Sequence, residues 1–480
     1  MTTSFPKSFD FAGFNEPVRM ECDIYDLVIE GNLPDEIDGS FYRLTPDPQY
    51  PPRLGDDTFL SGDGMISLFR FENGHVDMKM RYVMTERLKD DRAARKSLHG
   101  AYRNPLTDDP SVEGHKRGAA NTTPIWHGKK LLALKEDSRA MEVDKDTLET
   151  IGEWDYDGKL QSETVTAHTR WDPDTDELYF YGYEASGLCS NDIAYCVADK
   201  DGRLTKEEHF EGPYVSLMHD FVVTKEHAIF PFFPITTSMD LLKAGKPHWA
   251  WDPSKESHFA IMPRDGSVKD LVWFKRPACS VFHFLNAYTE GNKVHVDACY
   301  NAVNPFPFIM EAAGLQHDPA NMQGALKRWT FDLSKPGSAI DQYDLGPGGD
   351  MPRVADKDLM KEFDIAYYET FDPEQGPPNI AGPIGVGFNT LIRLEVKSGK
   401  MKSYCDGPHS TLSEAVHIPS KKSGHEGYLA LVNDDHQKYL SEMWVMEAAD
   451  IDKGPIARIK LPMRLRNQVH GNWVEADRLS

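Results

Sequence analysis

The chain has 480 residues, of which 76 are Asp or Glu and 53 are Lys or Arg, for a formal net charge of −23 and a sequence pI near 5.2. No basic face is present to release counterions from a nucleic acid, so a nucleic-acid partner is not expected. A mean hydropathy of −0.53, with no apolar run near the roughly 18 residues that cross a bilayer, argues against a membrane span and leaves at most weak membrane association.

The opening segment Met1-Thr2-Thr3-Ser4-Phe5-Pro6-Lys7 has no apolar core of the signal-peptide kind. Six cysteines (Cys22, Cys189, Cys196, Cys279, Cys299, Cys405) are scattered without CxxC spacing, which argues against a thiolate zinc site or a disulfide framework. A cytoplasmic, reducing location is expected. Length alone suggests about three domains. No Gly/Ser-rich or Pro-rich linker divides the chain, however, so one domain is expected over residues 1–480, with residues 1–32 as an extension packed on it.

In chain order, short alternating runs are punctuated by turn residues at hairpin spacing. Residues 65–84 carry the clearest case: Ile66 and Leu68 alternate with Ser67 and Phe69, Asn73-Gly74 turns the chain, and Val76, Met78, Met80 and Tyr82 alternate on the way back. Asn-Gly favours a tight hairpin because both turn residues must take positive φ. The cationic run Arg87 to Lys96, interrupted by Asp90 and Asp91, reads as a solvated surface segment. Turns recur at Asp38-Gly39, His127-Gly128, Asp172-Pro173-Asp174, Asp201-Gly202, Glu290-Gly291-Asn292 and Lys397-Ser398-Gly399. Between them lie strand-like runs such as 130–134, 177–183, 293–300 and 428–432. Phe230 to Ile235 reads as core or tunnel lining. Helical periodicity is confined to short pieces at 307–315, 321–327 and 356–363. So many short strands without long helices mean an all-β sandwich, barrel or propeller, of which a propeller holds them most economically.

Among the 18 histidines, four stand in apolar, strand-like surroundings: His168 in Thr-Ala-His-Thr-Arg, His219 in Leu-Met-His-Asp-Phe, His283 in Val-Phe-His-Phe-Leu and His470 in Gln-Val-His-Gly-Asn. Singly, each is more simply a core histidine; four in matching settings suggest a metal ringed by imidazoles. They lie too far apart in sequence for one helix or hairpin, so separate β units must bring them to a common axis. Metal-bound imidazoles usually donate their far N–H to a carboxylate, and Glu136, Asp350 and Glu414 are candidates in strand settings. Imidazole suits iron, copper, nickel and zinc alike, while structural zinc prefers thiolates, which tilts the set toward iron or copper without choosing.

These histidine contexts, together with Phe59-Leu60-Ser61-Gly62-Asp63-Gly64-Met65, Ala120-Asn121-Thr122, Asp350-Met351-Pro352-Arg353 and His470-Gly471-Asn472-Trp473, resemble the carotenoid cleavage oxygenases from about Leu33 to Val474. The resemblance implies a seven-bladed propeller with short helices and loops capping a central non-haem Fe(II), one per chain, which uses O2 to split an alkene into two carbonyls. It implies His168, His219, His283 and His470 as ligands, with Glu136, Asp350 and Glu414 on their far nitrogens. The family usually has Glu at the Asp350 position, so the shorter arm is expected to need a strand shift or a water to reach its histidine. Thr122 matches a position close to the iron.

Lys135, in Leu-Ala-Leu-Lys-Glu, resembles the stilbene-cleaving branch, the lignostilbene dioxygenases, where Lys is paired with an upstream Tyr matched here by Tyr102. By itself Lys135 reads as a surface residue on an edge strand. Buried beside a Tyr, such a Lys can help ionise a substrate 4-hydroxyl, pushing electron density onto the alkene. Phe59 is expected to wall the substrate ring, with Phe306 or Phe308 as a second wall. The expected reaction is cleavage of the central C=C of a 4-hydroxystilbene with O2 to two aromatic aldehydes, by a homodimer in the cytoplasm. Two other readings remain open: an apocarotenoid cleaver, and a metal-free or zinc-bearing propeller serving as scaffold or hydrolase.

Overall fold

The hairpin at 64–82 forms as its pattern dictates: Glu72 faces His75 across a two-residue loop, and Asn73 and Gly74 both take positive φ (52° and 78°). In the returning strand His75–Tyr82, the residues Val76, Met78, Met80 and Tyr82 are buried and their neighbours are not. The computed structural model describes residues 4–312 and 324–479. Among these, strands dominate, and α-helix is limited to Glu86–Ala94 and Met239–Lys243.

Two compact units can be distinguished: Met1–Trp154 with Tyr367–Arg393 and Met401–Ser480, and Asp155–Ala366 with Leu394–Lys400. In the first, a five-stranded sheet has the order Cys22–Ile24, His75–Tyr82, Gly64–Glu72, Gly39–Pro46 and Gly471–Glu475. The last of these pairs antiparallel with Gly39–Pro46, Phe41 facing Trp473. One side of this sheet packs on the four-stranded sheet of residues 123–154 through Tyr42, Leu44, Leu131 and Ala133. Its other side packs on the sheet of residues 410–460 through Phe41, Phe69, Val432 and Val445. The first 32 residues supply Cys22–Ile24 to one sheet and Ile29–Gly31 to another.

The second unit holds four-stranded antiparallel sheets over 170–211, 222–276 and 280–347, and a small three-stranded one. Phe259, Phe284, Trp329 and Phe331 form its core with Phe233, so the run Phe230 to Phe233 is core. Trp329 is fully buried, with Phe259 edge-on at 5.3 Å. Trp329→Ala is expected to cost about 3–5 kcal/mol, readable as a lower denaturant midpoint with little change in slope.

Four local expectations are corrected. Residues 307–309 are turn and bend, and Met310–Glu311 is a strand; the rest of the 307–315 helix reading, from 313, lies outside the described residues. Residues 324–327 belong to the strand Gly324–Asp332, whose alternation was masked by Ala, Leu and Lys, all good helix formers; 321–323 lie outside the described residues. At 356–363 only the turn Asp356–Asp358 is helical. The Arg87–Lys96 run is not simply solvated. Thr85 caps the helix Glu86–Ala94 by accepting from Leu88 N, and Leu88 and Asp91 are buried.

Candidate metal centre

In the second unit three of the four singled-out histidines converge. His168 Nε2 lies 2.9 Å from His219 Nε2, which lies 3.2 Å from His283 Nε2. His283 sits in the strand Ser280–Glu290 where the register slips between Val281 and Phe284. Such a bulge re-aims side chains, and it lets Phe282 turn to the same side as its neighbour. Phe282 stacks on the His219 ring with centroids 3.6 Å apart and planes 15° apart. Phe306 follows at 4.2 Å from Phe282, then Phe308 at 5.3 Å, both tilted, so the predicted aromatic pair continues a row of rings that begins at a histidine. Sequence alternation alone would place Phe282 and His283 on opposite faces, which is why Phe282 escaped prediction.

Two braces hold the imidazoles. Asp350 Oδ1 accepts from His283 Nδ1 at 2.7 Å and from Met351 N at 2.9 Å. The contact is direct, with no water between, and Met351 takes a positive φ of 54° at the start of the strand Asp350–Arg353. Next to His219, the buried Asp220 binds Arg170 with both oxygens at 2.6 Å and accepts from Phe284 N at 2.8 Å. That clamp ties the His219 loop to the His283 strand. Neither residue was singled out from sequence, since an Asp beside a His carries no spacing signal.

A carboxylate on Nδ1 keeps the proton there and leaves Nε2 as a lone-pair donor. Nε2 atoms about 3 Å apart then need a cation or a shared proton between them, and an all-nitrogen donor set suits a borderline divalent transition metal. The residues fit a metal ion. Asp350→Ala is expected to weaken metal binding about 10–100-fold, with Asp350→Asn losing less because its carbonyl still accepts from Nδ1. A chelator titration measures both, and wild-type affinity in the Ala variant would remove Asp350 from this role.

The other predicted residues belong to the first unit. Glu414 accepts from His470 Nδ1 at 3.1 Å and from Gly471 N at 2.8 Å, all of it buried. Lys135 is buried rather than surface-exposed, and it follows a strand paired on both sides rather than an edge. Its Nζ lies 5.1 Å from the Tyr102 ring centroid and donates to Leu60 O at 3.4 Å. The Tyr102 hydroxyl is 3.5 Å from Glu136 Oε1, and Arg103 Nη1 is 3.8 Å from the same oxygen. Burial pushes the Lys135 ammonium below its ordinary value and, with the Glu136 charge, pushes the Tyr102 phenol well above its own.

Asn121 Nδ2 donates to Leu60 O and Gly62 O at 2.9 and 2.6 Å, and Asn121 Oδ1 accepts from the buried Thr122 hydroxyl at 2.9 Å. Gly64 explains the Ser-Gly-Asp-Gly stretch: a Cβ there would meet Ala120 O at 2.2 Å. Phe59 is buried with the Arg466 guanidinium 4.3 Å over its ring, and its N–H donates to Asp10 at 2.6 Å.

The model of the retinal pigment epithelial membrane protein family matches residues 15–475. The chain is a carotenoid-oxygenase family protein. The chain is 39% identical to lignostilbene-alpha,beta-dioxygenase isozyme III of Sphingomonas paucimobilis, over 99% of each chain. It is also 39% identical to isoeugenol monooxygenase of Pseudomonas nitroreducens, over 95% of this chain and 96% of the other. The crystal structure of Pseudomonas brassicacearum lignostilbene dioxygenase aligns with a TM-score of 0.95 at 39% identity, covering 99% of this chain and 100% of that one. The expected family and the all-β propeller fold are borne out, and family membership places the protein among metal-dependent oxygenases. No helix among the described residues is long and apolar enough to cross a membrane.

Proposed function

We propose that this protein is a non-haem Fe(II) oxygenase that cleaves the central C=C of phenolic stilbenes with O2, giving two aromatic aldehydes. The observation that carries the reading is the buried Lys135 ammonium over Tyr102, set on a chain alike over its whole length to a lignostilbene dioxygenase. On this reading His470 joins His168, His219 and His283 in holding one iron per chain. When bound, the iron supplies activation of O2.

The chain's own residues handle the substrate. Lys135 takes the phenolic proton at Nζ and pairs with the phenolate, since burial makes its neutral form accessible. Tyr102, held protonated, donates its O–H to the same oxygen. Phe59 walls the ring, Phe306 and Phe308 line the approach, and Thr122 restricts access to the metal. Isoeugenol, in the name of an equally similar relative, shares with 4-hydroxystilbenes a hydroxylated ring conjugated to an alkene, which supports that arrangement as the recognised feature. Seven sheets of four or more strands among the described residues support a seven-bladed, single-domain propeller. The cysteines, all free thiols, agree with a cytoplasmic enzyme, and the homodimer belongs to the same proposal.

The test is anaerobic purification with iron quantification, followed by O2 uptake and product analysis with a 4-hydroxystilbene. One iron per chain and two aldehydes are expected. Iron without stilbene cleavage would move the substrate to an apocarotenoid, and a protein with neither iron nor O2 uptake would overturn the reading.

A further inference from the structure

In the first unit lies a cavity of about 20 Å³ whose wall includes Asp57, Asp63, Arg87, Asp91 and His99. That is room for one water molecule, which needs about 10–15 Å³. Asp63, Arg87 and His99 each have one half of the side chain anchored. Asp63 Oδ2 accepts from Gln49 N at 3.0 Å, Arg87 Nη2 donates to Ser61 O at 2.8 Å, and His99 Nδ1 faces Asp91 Oδ1 at 3.2 Å. The other halves, Asp63 Oδ1, Arg87 Nε and His99 Nε2, are buried with no hydrogen-bond partner among the described residues. Asp63 Oδ1 and Arg87 Nε stand 3.7 Å apart, too far for a direct hydrogen bond and suited to a bridge.

The geometry points to a single buried water that donates to Asp63 Oδ1 and His99 Nε2 and accepts from Arg87 Nε–H, making Asp63, Arg87 and His99 positioning residues for recognition of the substrate phenol. Three hydrogen bonds are the usual complement of a structural water, and three orphaned buried groups are otherwise costly. The donor count closes: with Nδ1 turned to Asp91, His99 presents Nε2 to the cavity as an acceptor, Asp63 is an acceptor, and Arg87 is a donor.

What the water joins gives it a role. Asp63 ends the segment that carries Phe59 and Leu60, the latter supplying the carbonyl contacted by Lys135. His99 opens the loop that carries Tyr102, and Asp57 on the same cavity accepts from Tyr102 N at 3.2 Å. Arg87 enters from the helix Glu86–Ala94. One water therefore fixes the Tyr102 loop against the segment below Lys135. The positioning role rests on the phenol reading given above; the water site does not.

Two experiments test it. A high-resolution crystal structure is expected to place a water within hydrogen-bond distance of Asp63 Oδ1, Arg87 Nε and His99 Nε2; a dry cavity overturns the proposal. Under nitrogen, Asp63→Asn and His99→Leu are each expected to raise the Kd of a 4-hydroxystilbene about tenfold, the equivalent of one hydrogen bond, with iron content and the Kd of unsubstituted stilbene unchanged. If both ligands weaken equally, or neither does, the positioning role is overturned. Should either variant fold poorly, Arg87→Lys, which keeps the charge and loses Nε, replaces it. A wild-type protein that binds the two stilbenes equally fails the phenol reading instead, and the crystallographic result then decides the water site by itself.

Discussion

His219→Ala is expected to lose its metal and at least about a thousandfold in turnover. His219 is the central member of the converging trio, within 2.9 Å of one Nε2 and 3.2 Å of the other, so its loss removes the donor that joins the other two. A metal ion's contribution of several kcal/mol to an oxygenase reaction translates into that factor at about 1.4 kcal/mol per decade. The fold should survive, because the Asp220–Arg170 pair that ties the loop to the neighbouring strand is untouched. Metal quantification, turnover and thermal unfolding measured side by side decide the matter. A variant that keeps stoichiometric metal, or more than a tenth of the activity, would remove His219 from the centre.

Lys135→Met separates the phenol chemistry from the metal. Methionine keeps the apolar stem of the side chain and removes the amine at its end, so iron content should be unchanged while turnover of a 4-hydroxystilbene falls about 10²–10⁴-fold, the range for losing a positioned proton acceptor. Stability should move the other way. Burial holds the folded-state value of Lys135 below its ordinary 10.5, so at neutral pH the charged form is penalised in the fold relative to the unfolded chain. That penalty shrinks as pH rises from the lowered value toward the ordinary one, and Met has none of it. Met is therefore expected to match or exceed wild type in stability near pH 7, with wild type gaining on it as pH rises. Unchanged turnover, or iron loss in the variant, would refute the proton-accepting role.

What the sequence made legible was chemistry attached to a periodic pattern. His283 stood out because Val, Phe, Phe and Leu surround it on a strand, and the Asn73-Gly74 turn because only certain residues take positive φ in succession. What stayed hidden depended on departures from period. Phe282 reaches His219 only through a bulge, and Asp350 meets its histidine directly beside a left-handed Met351. Asp220 and Arg170 pair across 50 residues with nothing in either neighbourhood to announce it. The 324–327 stretch reads as helix by propensity and is strand by pairing, each residue having a partner on the strand Lys293–Asn301.

The antiparallel pairing of Gly39–Pro46 with Gly471–Glu475 sets a timetable for synthesis. The earlier strand leaves the ribosome with one edge covered by Gly64–Glu72 and the other bare until residue 471 has been made, which at bacterial or eukaryotic elongation rates means on the order of tens of seconds. An open, apolar edge of that kind is a template for pairing with other nascent chains. His470 emerges immediately before the strand that covers that edge, so on the proposed four-histidine site sealing the sheet and delivering the last imidazole are the same event, and a ribosome that stalls short of residue 470 leaves behind a chain both adhesive and, on that reading, one ligand short.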